Sequence, residues 1–293
     1  EIMPGDWSSD VCSSDLKQVV DGRQRISAIL DFLEGKFKLN NLRILKQFNG
    51  CCFADLDLKQ QGVIEDFQLL FYIIQPPTPE RVKYDIFDRV NRGGTPLNKQ
   101  EMRNALYRGR CTRMLDKLCC SPEFLIATGR SINKERMKDQ YVVLRAIAFL
   151  MLHRGEFKDI PALQYRGDID DFLARFMVYV NDNAPEKLIV DYENLFIRCM
   201  QISYDLLGEN GFRFSGNGIR RPINMPLFEA LSYLFSFVPE KIDYTWASRL
   251  ILDIESVKEE FDDSRYFSGN IDSTTSVSFR FDRMDKIINR IQL

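Results

Sequence analysis

Two short stretches of this sequence combine glycines with basic side chains in a way that suits the binding of a phosphate group. The first is 19–26, VVDGRQRI, in which an apolar strand end runs through an Asp-Gly pair into an amphipathic helix. The second is 87–97, FDRVNRGGTPL, in which a Gly-Gly pair separates two helical patterns. A helix start leaves unpaired N–H groups that attract an anion, and glycine-rich backbone exposes further N–H groups. Together the two stretches predict a cationic site for phosphate.

One stretch alone is too weak for useful affinity. A helix N-terminus contributes about 1 to 2 kcal/mol and a contact from Arg25 about 1.5 to 3, which together correspond to roughly millimolar binding. We therefore expect the loop 91–95, with Arg89 and Arg92 beside it, to face the first turn. The alternative stays open that the Asp-Gly pair only starts a helix, that Arg25 is a solvated charge and that the Gly-Gly pair is a plain helix end.

Composition limits the function classes. The formal charge of −2 and the pI near 5.7 argue against a protein that holds nucleic acid through its overall charge, so any DNA contact must be local. The seven cysteines lack the C-x-x-C spacing of a zinc or redox motif, which predicts reduced thiols and a cytoplasmic protein. The longest apolar run, 141–152, contains Arg145 and is shorter than the roughly 20 residues of a membrane span, so no membrane association is expected.

The first 16 residues are set aside. The peptide DWSSDVCSSDL at 6–16 resembles the translation of a common sequencing-library adapter, which makes 1–16 an artefact rather than part of a fold. We therefore expect the segment that naturally precedes the strand at Lys17–Val20 to be missing.

The remaining pattern predicts an α+β protein. Lys17–Val20, Phe37–Leu42 and Phe67–Gln75 resemble strands of a mixed sheet, and apolar spacing at Ile26, Ile29, Leu30 and Leu33 predicts the helix between them. Asn98 and Glu101 form the pattern of a capping box at the start of another helix. After Cys111 the periodicity is helical throughout, with irregular loops predicted at 208–222 and 268–278. The predicted domains are a mixed domain at 17–107 and an all-α domain at 108–293.

The two phosphate-binding stretches also carry a family resemblance. The segment VVDGRQRISAILDFLEGKF resembles the signature of the DGQQR-motif family, the N-terminal domain of GmrSD-type modification-dependent restriction systems. FDRVNRGGTPLNKQEMRNALYRG is similar to that family's second block, F-x-R-x-N-x-x-x-x-P-L-x-x-x-E-x-R-x-A. ERMKDQYVVLRAIAF and RRPINMPLFEAL also resemble helical segments of its shorter members.

The resemblance implies a ParB/sulfiredoxin-like fold, truncated at its N-terminus, that binds and hydrolyses a nucleoside triphosphate, with Mg²⁺ as an accompanying ion. It assigns catalytic roles to Asp21, Gln24 and Arg25. Arg25 would neutralise phosphate charge, Gln24 would orient a water or phosphate oxygen, and Asp21 would hold ribose, a Mg²⁺-bound water or the loop. The predicted cofactor-binding residues are Gly22, Arg89, Asn91, Gly93, Gly94 and Thr95, and no protein metal site is predicted.

Two departures from the family pattern bear on activity. Arg23 stands where the family has Gln, which adds charge beside the phosphates, and the family's upstream Gln-Arg-rich segment is absent. The predicted function is a nucleotide-binding, NTP-hydrolysing regulatory module of a prokaryotic restriction or phage-defence system. The alternative is a DNA-binding or adaptor protein of ParB-like fold without turnover.

A nuclease domain on this chain is disfavoured, and a separate nuclease partner is expected. An HNH nuclease needs more than one histidine, whereas His153 stands alone here and is interpreted as a helix C-terminal residue satisfied by local carbonyls. Glu255 and Lys258 are interpreted as a solvated helix face. Two basic segments could contact DNA phosphates, although solvated charged faces are the commoner explanation: Arg103, Arg108, Arg110, Arg113 and Lys117 in one, and Arg213, Arg220 and Arg221 in the other.

Overall fold

A computed structural model of the chain describes residues 22–73, 82, 86, 89, 97–214, 220–239, 243–263 and 269–291. They fall into two compact units. The N-terminal unit contains 22–73 with residue 89, and the helical unit contains 82, 86 and the described residues from 97 onward.

The N-terminal unit contains two described helices, α1 (Arg23–Leu33) and α2 (Leu58–Glu65), together with 3-10 turns. Its small aromatic cluster centres on Phe32, whose ring lies 5.5 Å from that of Phe37 and 6.0 Å from that of Phe53. Helix α1 confirms the predicted apolar spacing, yet Leu30 on this helix remains 42% exposed.

The predicted mixed sheet is wrong for the described residues, which contain helices but no strand. Residues 37–42 are irregular, although Leu39 exchanges backbone hydrogen bonds with Gly50 and Cys51. Residues 67–73 have no regular structure, and the third predicted strand, at 17–20, lies outside the described residues. An apolar run alone does not make a strand, because a strand also needs a partner for its N–H and C=O groups. The described fold is all-α, so the α+β assignment and the ParB/sulfiredoxin-like mixed domain are not supported.

The helical unit confirms the helices predicted after residue 98. Nine helices are described there: α3 (Lys99–Leu106), α4 (Arg110–Cys119), α5 (Pro122–Ala127), α6 (Lys138–His153), α7 (Ile169–Asp182), α8 (Glu186–Leu207), α9 (Met225–Phe235), α10 (Tyr244–Asp262) and α11 (Thr274–Ile291). Helix α9 is the centre of the core, because every residue from Pro226 to Phe235 is buried. It packs against α6 and α11, while α5 packs against α8. A helix that is apolar on all sides must be enclosed by other helices, and α9 is enclosed in this way.

The predicted loop at 268–278 is wrong in its second half, where α11 begins at Thr274. Ser273 supplies the start signal, because its hydroxyl accepts the Ser276 N–H at 3.1 Å and its carbonyl accepts the Val277 N–H at 3.0 Å. Serine is a favoured N-cap residue as well as a loop residue, so the Ser/Thr-rich composition marked a helix start.

Within the described residues we find no helix with the length and apolar content that crossing a bilayer requires.

Candidate functional site

The turn before α1 holds the described part of the predicted phosphate site. Gly22 precedes the helix with φ 87° and ψ 2°, a left-handed conformation that glycine adopts without strain. The Arg25 guanidinium folds back over this turn, so that one of its terminal nitrogens would lie 3.6 Å from a Cβ placed on Gly22. Gln24 is exposed in the same first turn, and no acidic residue occurs there. Positive charge and a helix N-terminus therefore coincide, which favours an anion.

Most residues of the second half of the predicted site are not among those that the structure describes. Asp21, Asn91, Gly93, Gly94 and Thr95 lie outside the described residues. Arg89 is described as helical and exposed. The structure thus places Gly22, Gln24 and Arg25 in one turn, and the expected facing of the two loops stays a prediction.

The end of the second family block has a structural role in the helical unit. Asn98 caps α3 by accepting the N–H groups of Gln100 and Glu101, and the Glu101 carboxylate accepts the Asn98 N–H at 2.6 Å, which confirms the predicted capping box. Arg136 pairs with the same carboxylate at 3.0 Å. Burial opposes ionisation of Glu101, but the hydrogen bonds from Arg136 and Asn98 outweigh it and lower its pKa.

Arg103 in the same block is a buried ion-pair residue. Its side chain is 1% exposed, donates to Asp170 of α7 at 2.8 Å and lies 5.1 Å from the centre of the Tyr141 ring. Burial would raise the pKa of Asp170, but Lys99 and Arg103 outweigh it and lower that pKa. Arg103 therefore joins α3 to α7 and is not available to a ligand.

The two basic segments proposed for DNA contact are largely neutralised by carboxylates. In the first, Arg110 pairs with Glu186 at 2.7 Å and Lys117 pairs with Glu193. In the second, Arg220 pairs with Glu209 at 2.7 Å and Arg221 pairs with Asp262. Paired charges contribute less to phosphate binding than free ones, so these four pairs favour the interpretation of the two segments as solvated faces.

The two other segments that resemble the family, ERMKDQYVVLRAIAF and RRPINMPLFEAL, contribute Arg145 and Glu229 to a buried ion network. Arg145 of α6 and Arg280 of α11 both bind Glu229 of α9, and all three side chains are at most 1% exposed. Arg145 also donates to Asp272 at 2.6 Å. Burial opposes the charge on Arg145, yet Glu229 and Asp272 together raise its pKa. The network connects α6, α9 and α11, so we interpret it as structural.

His153 is a core residue and not a ligand. Its ring stacks on Phe281 with centres 3.5 Å apart, and its buried Nε2 has no hydrogen-bond partner among the described residues. The expectation that local carbonyls satisfy His153 is therefore wrong for Nε2. Burial and the nearby charge of Arg280 lower the His153 pKa to about 3. Lys258 also differs from expectation, because it is 4% exposed and pairs with Glu255 at 2.9 Å.

Metal-binding clusters were also sought. No group of three or more His, Cys, Asp and Glu side chains in the described part of the chain is arranged to hold a metal ion.

Comparison with known proteins finds a family match in the N-terminal part of the chain. Residues 7–108 match the family model described as the GmrSD restriction endonuclease, N-terminal domain. The match confirms the resemblance predicted from the two glycine-containing stretches, both of which it covers. No curated protein and no solved structure matches the chain.

Proposed function

We propose, on the premise that residues 7–108 belong to the GmrSD N-terminal domain family, that this chain is a nucleotide-binding and NTP-hydrolysing component of a prokaryotic DNA restriction or phage-defence system. The observation that carries the proposal is the Arg25 guanidinium folded over the left-handed Gly22 turn at the start of α1. This arrangement joins a fixed cation to the positive end of a helix.

In the proposed mechanism the first turn of α1 holds the phosphates. Backbone N–H groups of the turn donate to phosphate oxygens, Arg25 neutralises the charge that develops on the leaving phosphate, and Gln24 orients the attacking water. Asp21 is proposed to hold ribose or a water on the Mg²⁺ that the nucleotide carries in. The loop 91–95 supplies the second set of backbone donors, because one helix terminus and one arginine give only about millimolar affinity.

DNA cleavage is assigned to a separate nuclease partner. This sequence contains a single histidine, His153, which is buried against Phe281 and is thereby engaged in the core. The nucleotide-dependent unit would then regulate an effector that another chain supplies. DNA is proposed as the signal that changes turnover.

Arg25→Ala is the direct test. Loss of the guanidinium should weaken NTP binding about tenfold or more and abolish phosphate release, because a charge-assisted hydrogen bond contributes about 1.5 to 3 kcal/mol. Nucleotide binding is measured by calorimetry, and phosphate release is measured with each of the common NTPs, with and without DNA. Arg43→Ala is the matched control, since Arg43 is an exposed arginine in the same unit outside the α1 turn.

Unchanged binding and turnover in Arg25→Ala would reject the proposed site. Nucleotide binding by the unaltered chain without phosphate release would instead support the adaptor alternative. Gln24→Ala separates the two steps, because it should remove turnover and leave NTP affinity within about twofold of the unaltered chain.

A further inference from the structure

A chain of four side-chain hydrogen bonds joins α3 to α6 and then to α4. It starts at Arg103 of α3, whose Nε donates to Oε1 of Gln100 at 2.9 Å, and Nε2 of Gln100 donates to Oδ1 of Asn104 at 2.8 Å. Nδ2 of Asn104 donates to Gln140 of α6, and Nε2 of Gln140 donates to Asp116 of α4 at 2.6 Å. The chain therefore begins at a guanidinium and ends at a carboxylate, with three side-chain amides between them.

All three amides of this chain have the same orientation. Each accepts a hydrogen bond through its oxygen from the side of Arg103 and donates one through its nitrogen toward Asp116. Turning one amide over would place two donors together on one side and two acceptors together on the other. Successive hydrogen bonds of one orientation also polarise and strengthen each other. The contacts that hold α3 against α6 are therefore interdependent.

The α3 end of the chain is shielded from solvent. Gln100 is 3% exposed and Arg103 is 1% exposed, and the Arg103 guanidinium lies 5.1 Å from the centre of the Tyr141 ring of α6. A buried polar group that loses its partner is costly, because water does not replace the lost hydrogen bond. Interrupting the chain at one link should therefore weaken the docking of the whole helix α3.

A second contact joins the start of α3 to the turn before α6. In this turn Arg136 and Met137 have φ 56° and 58°, and such left-handed values are uncommon for residues with side chains. Asn98, which caps α3, donates through its side-chain nitrogen to the Arg136 carbonyl at 2.7 Å. The Glu101 carboxylate accepts both the Asn98 N–H and the Arg136 guanidinium. A strained backbone persists only where its surroundings hold it, and the first turn of α3 supplies these contacts.

The docked helix α3 and the left-handed turn stabilise each other. Right-handed values at Arg136 and Met137 would extend α6 toward its N-terminus, since the 3-10 turn Glu135–Met137 directly precedes it. That change would relieve the strain and turn the Arg136 carbonyl away from Asn98. The contact thus has two alternative arrangements, one with α3 docked and one with α3 released.

We infer that Arg136 and Gln140 are positioning residues, which hold α3 and thereby the end of the loop 91–95. Asn98, at the start of α3, comes three residues after this loop. A loop whose end is fixed loses less conformational freedom when it binds phosphate, so docking of α3 raises nucleotide affinity. By linkage, a bound nucleotide favours the docked state of α3 and so acts on the helical unit. This role in nucleotide binding rests on the proposed function, whereas the docking of α3 does not.

Gln140→Glu breaks one link of the chain with little change in side-chain size. The introduced carboxylate can still accept from Asn104, but it cannot donate to Asp116 and repels it. We expect the backbone amides of α3 to exchange about tenfold faster, by a similar factor along the helix, in hydrogen exchange of the whole chain followed by mass spectrometry. Unchanged exchange, or faster exchange at one end of α3 alone, would refute docking as one piece.

The double variant Q140E/D116N restores the broken link. An amide at position 116 can donate to a carboxylate at position 140, so α3 exchange should return to within about twofold of that in the unaltered chain. Asp116→Asn alone should change it by less than about twofold, because the amide oxygen still accepts from Gln140. A double variant that exchanges as fast as Q140E would contradict the hydrogen-bond chain.

Gln201→Glu is the matched control for Gln140→Glu. Gln201 donates to Asp205 at 2.7 Å on an exposed part of α8, so the same change meets the same kind of partner outside α3. It should change α3 exchange by less than about twofold, because water screens the introduced charge. Circular dichroism confirms that each variant is folded.

The left-handed turn is tested in both directions. Arg136→Ala should speed α3 exchange about tenfold, because it removes the charge-assisted contact with Glu101. Met137→Gly should instead slow α3 exchange about threefold, because glycine adopts left-handed values without strain and disfavours the extended helix. Equal or faster exchange in Met137→Gly would show that the turn and α3 do not stabilise each other.

Phosphate release by Q140E separates positioning from chemistry. With ATP and GTP as probes, KM should rise about fivefold or more while kcat stays within about twofold, because fewer molecules have α3 docked and the Arg25 turn is unaltered. Saturating ATP or GTP should in turn slow α3 exchange in the unaltered chain. Faster α3 exchange in Q140E together with an unchanged KM would overturn the positioning role.

Arg25→Ala distinguishes the positioning role from the proposed function. That variant should lose turnover and keep the slow exchange of α3, whereas Q140E should keep kcat and lose the slow exchange. If the unaltered chain binds neither ATP nor GTP, the proposed function fails and the positioning role fails with it. Hydrogen exchange then still decides whether α3 docks as one piece.

Discussion

Helix α9 of the helical unit buries every residue from Pro226 to Phe235, whereas residues 67–73 of the N-terminal unit expose a run of apolar side chains. Tyr72 is 89% exposed and Leu70 is 78% exposed, while Phe228 and Leu234 are fully buried. Both stretches are strongly apolar in sequence. An apolar segment is therefore buried only where other elements of the fold pack against it.

The ion pairs of the two units also differ in their exposure. The helical unit buries Arg103, Arg145 and Arg280 at 1% exposure or less, each with a carboxylate. In the N-terminal unit the described ion pairs of Lys36, with Asp31 and Glu34, are well exposed. A unit with a large core can enclose an ion pair, and the cost of removing one partner is then much higher.

The sharpest test of this comparison uses two phenylalanines. Phe228→Ala should lower the free energy of unfolding by about 3 to 5 kcal/mol, because it leaves a cavity among packed rings. Phe71→Ala should change it by less than about 0.5 kcal/mol, because Phe71 is 60% exposed. Urea unfolding followed by circular dichroism measures both. An equal loss in the two variants would show that 67–73 is buried in solution.

Glu229→Gln tests the buried network. Removing the negative charge takes away the carboxylate that Arg145 and Arg280 share, although Asp272 stays beside Arg145, and we expect a loss of about 3 kcal/mol in unfolding free energy. Glu259→Gln, at an exposed position of α10, should cost less than about 0.5 kcal/mol. If Glu229→Gln unfolded at the same urea concentration as the unaltered protein, the network would not be a stabilising joint.

The pH dependence of stability follows from His153. Its pKa is about 3 in the folded protein and about 6.5 when unfolded, so the unfolded chain takes up the proton first as the pH falls. The stabilisation is complete above pH 6.5 and should fall by about 1.5 kcal/mol between pH 6.5 and 5, above the range in which most carboxylates titrate. His153→Leu should flatten the curve in this window. A curve that keeps its slope in the variant would assign the titration to other groups.

Much of the helical unit could be predicted from the sequence, and the N-terminal unit less so. Asn98 and Glu101 gave the start of α3 correctly, because a capping box involves residues three apart. The strand prediction at 67–75 failed over its described part, because a strand depends on distant partners that a local pattern does not contain. The serine-rich segment before α11 was assigned to a loop, because serine is common both in loops and at helix starts.

The candidate site could also be predicted from the sequence only in part. Spacing alone left Gly22 and Arg25 open between a phosphate site and a plain helix start, and the family resemblance favoured the site. The structure places Gly22 and Arg25 in one turn, because they are three residues apart at a helix start. A free cation and a paired cation also look alike in sequence, so the carboxylate partners of Arg110 and Arg221 could be found only in the structure.

The sequence by itself determined most of the helices from residue 98 onward, the glycine turn before α1 and the resemblance of residues 7–108 to the GmrSD N-terminal domain. These features depend on hydrogen bonds and side-chain spacing within a few residues. Only the tertiary structure decided that the regular elements of the described residues are all helices and that Arg103 and Arg145 are buried ion-pair partners. Those features depend on contacts between residues that are far apart in the sequence, because such contacts determine burial and charge compensation.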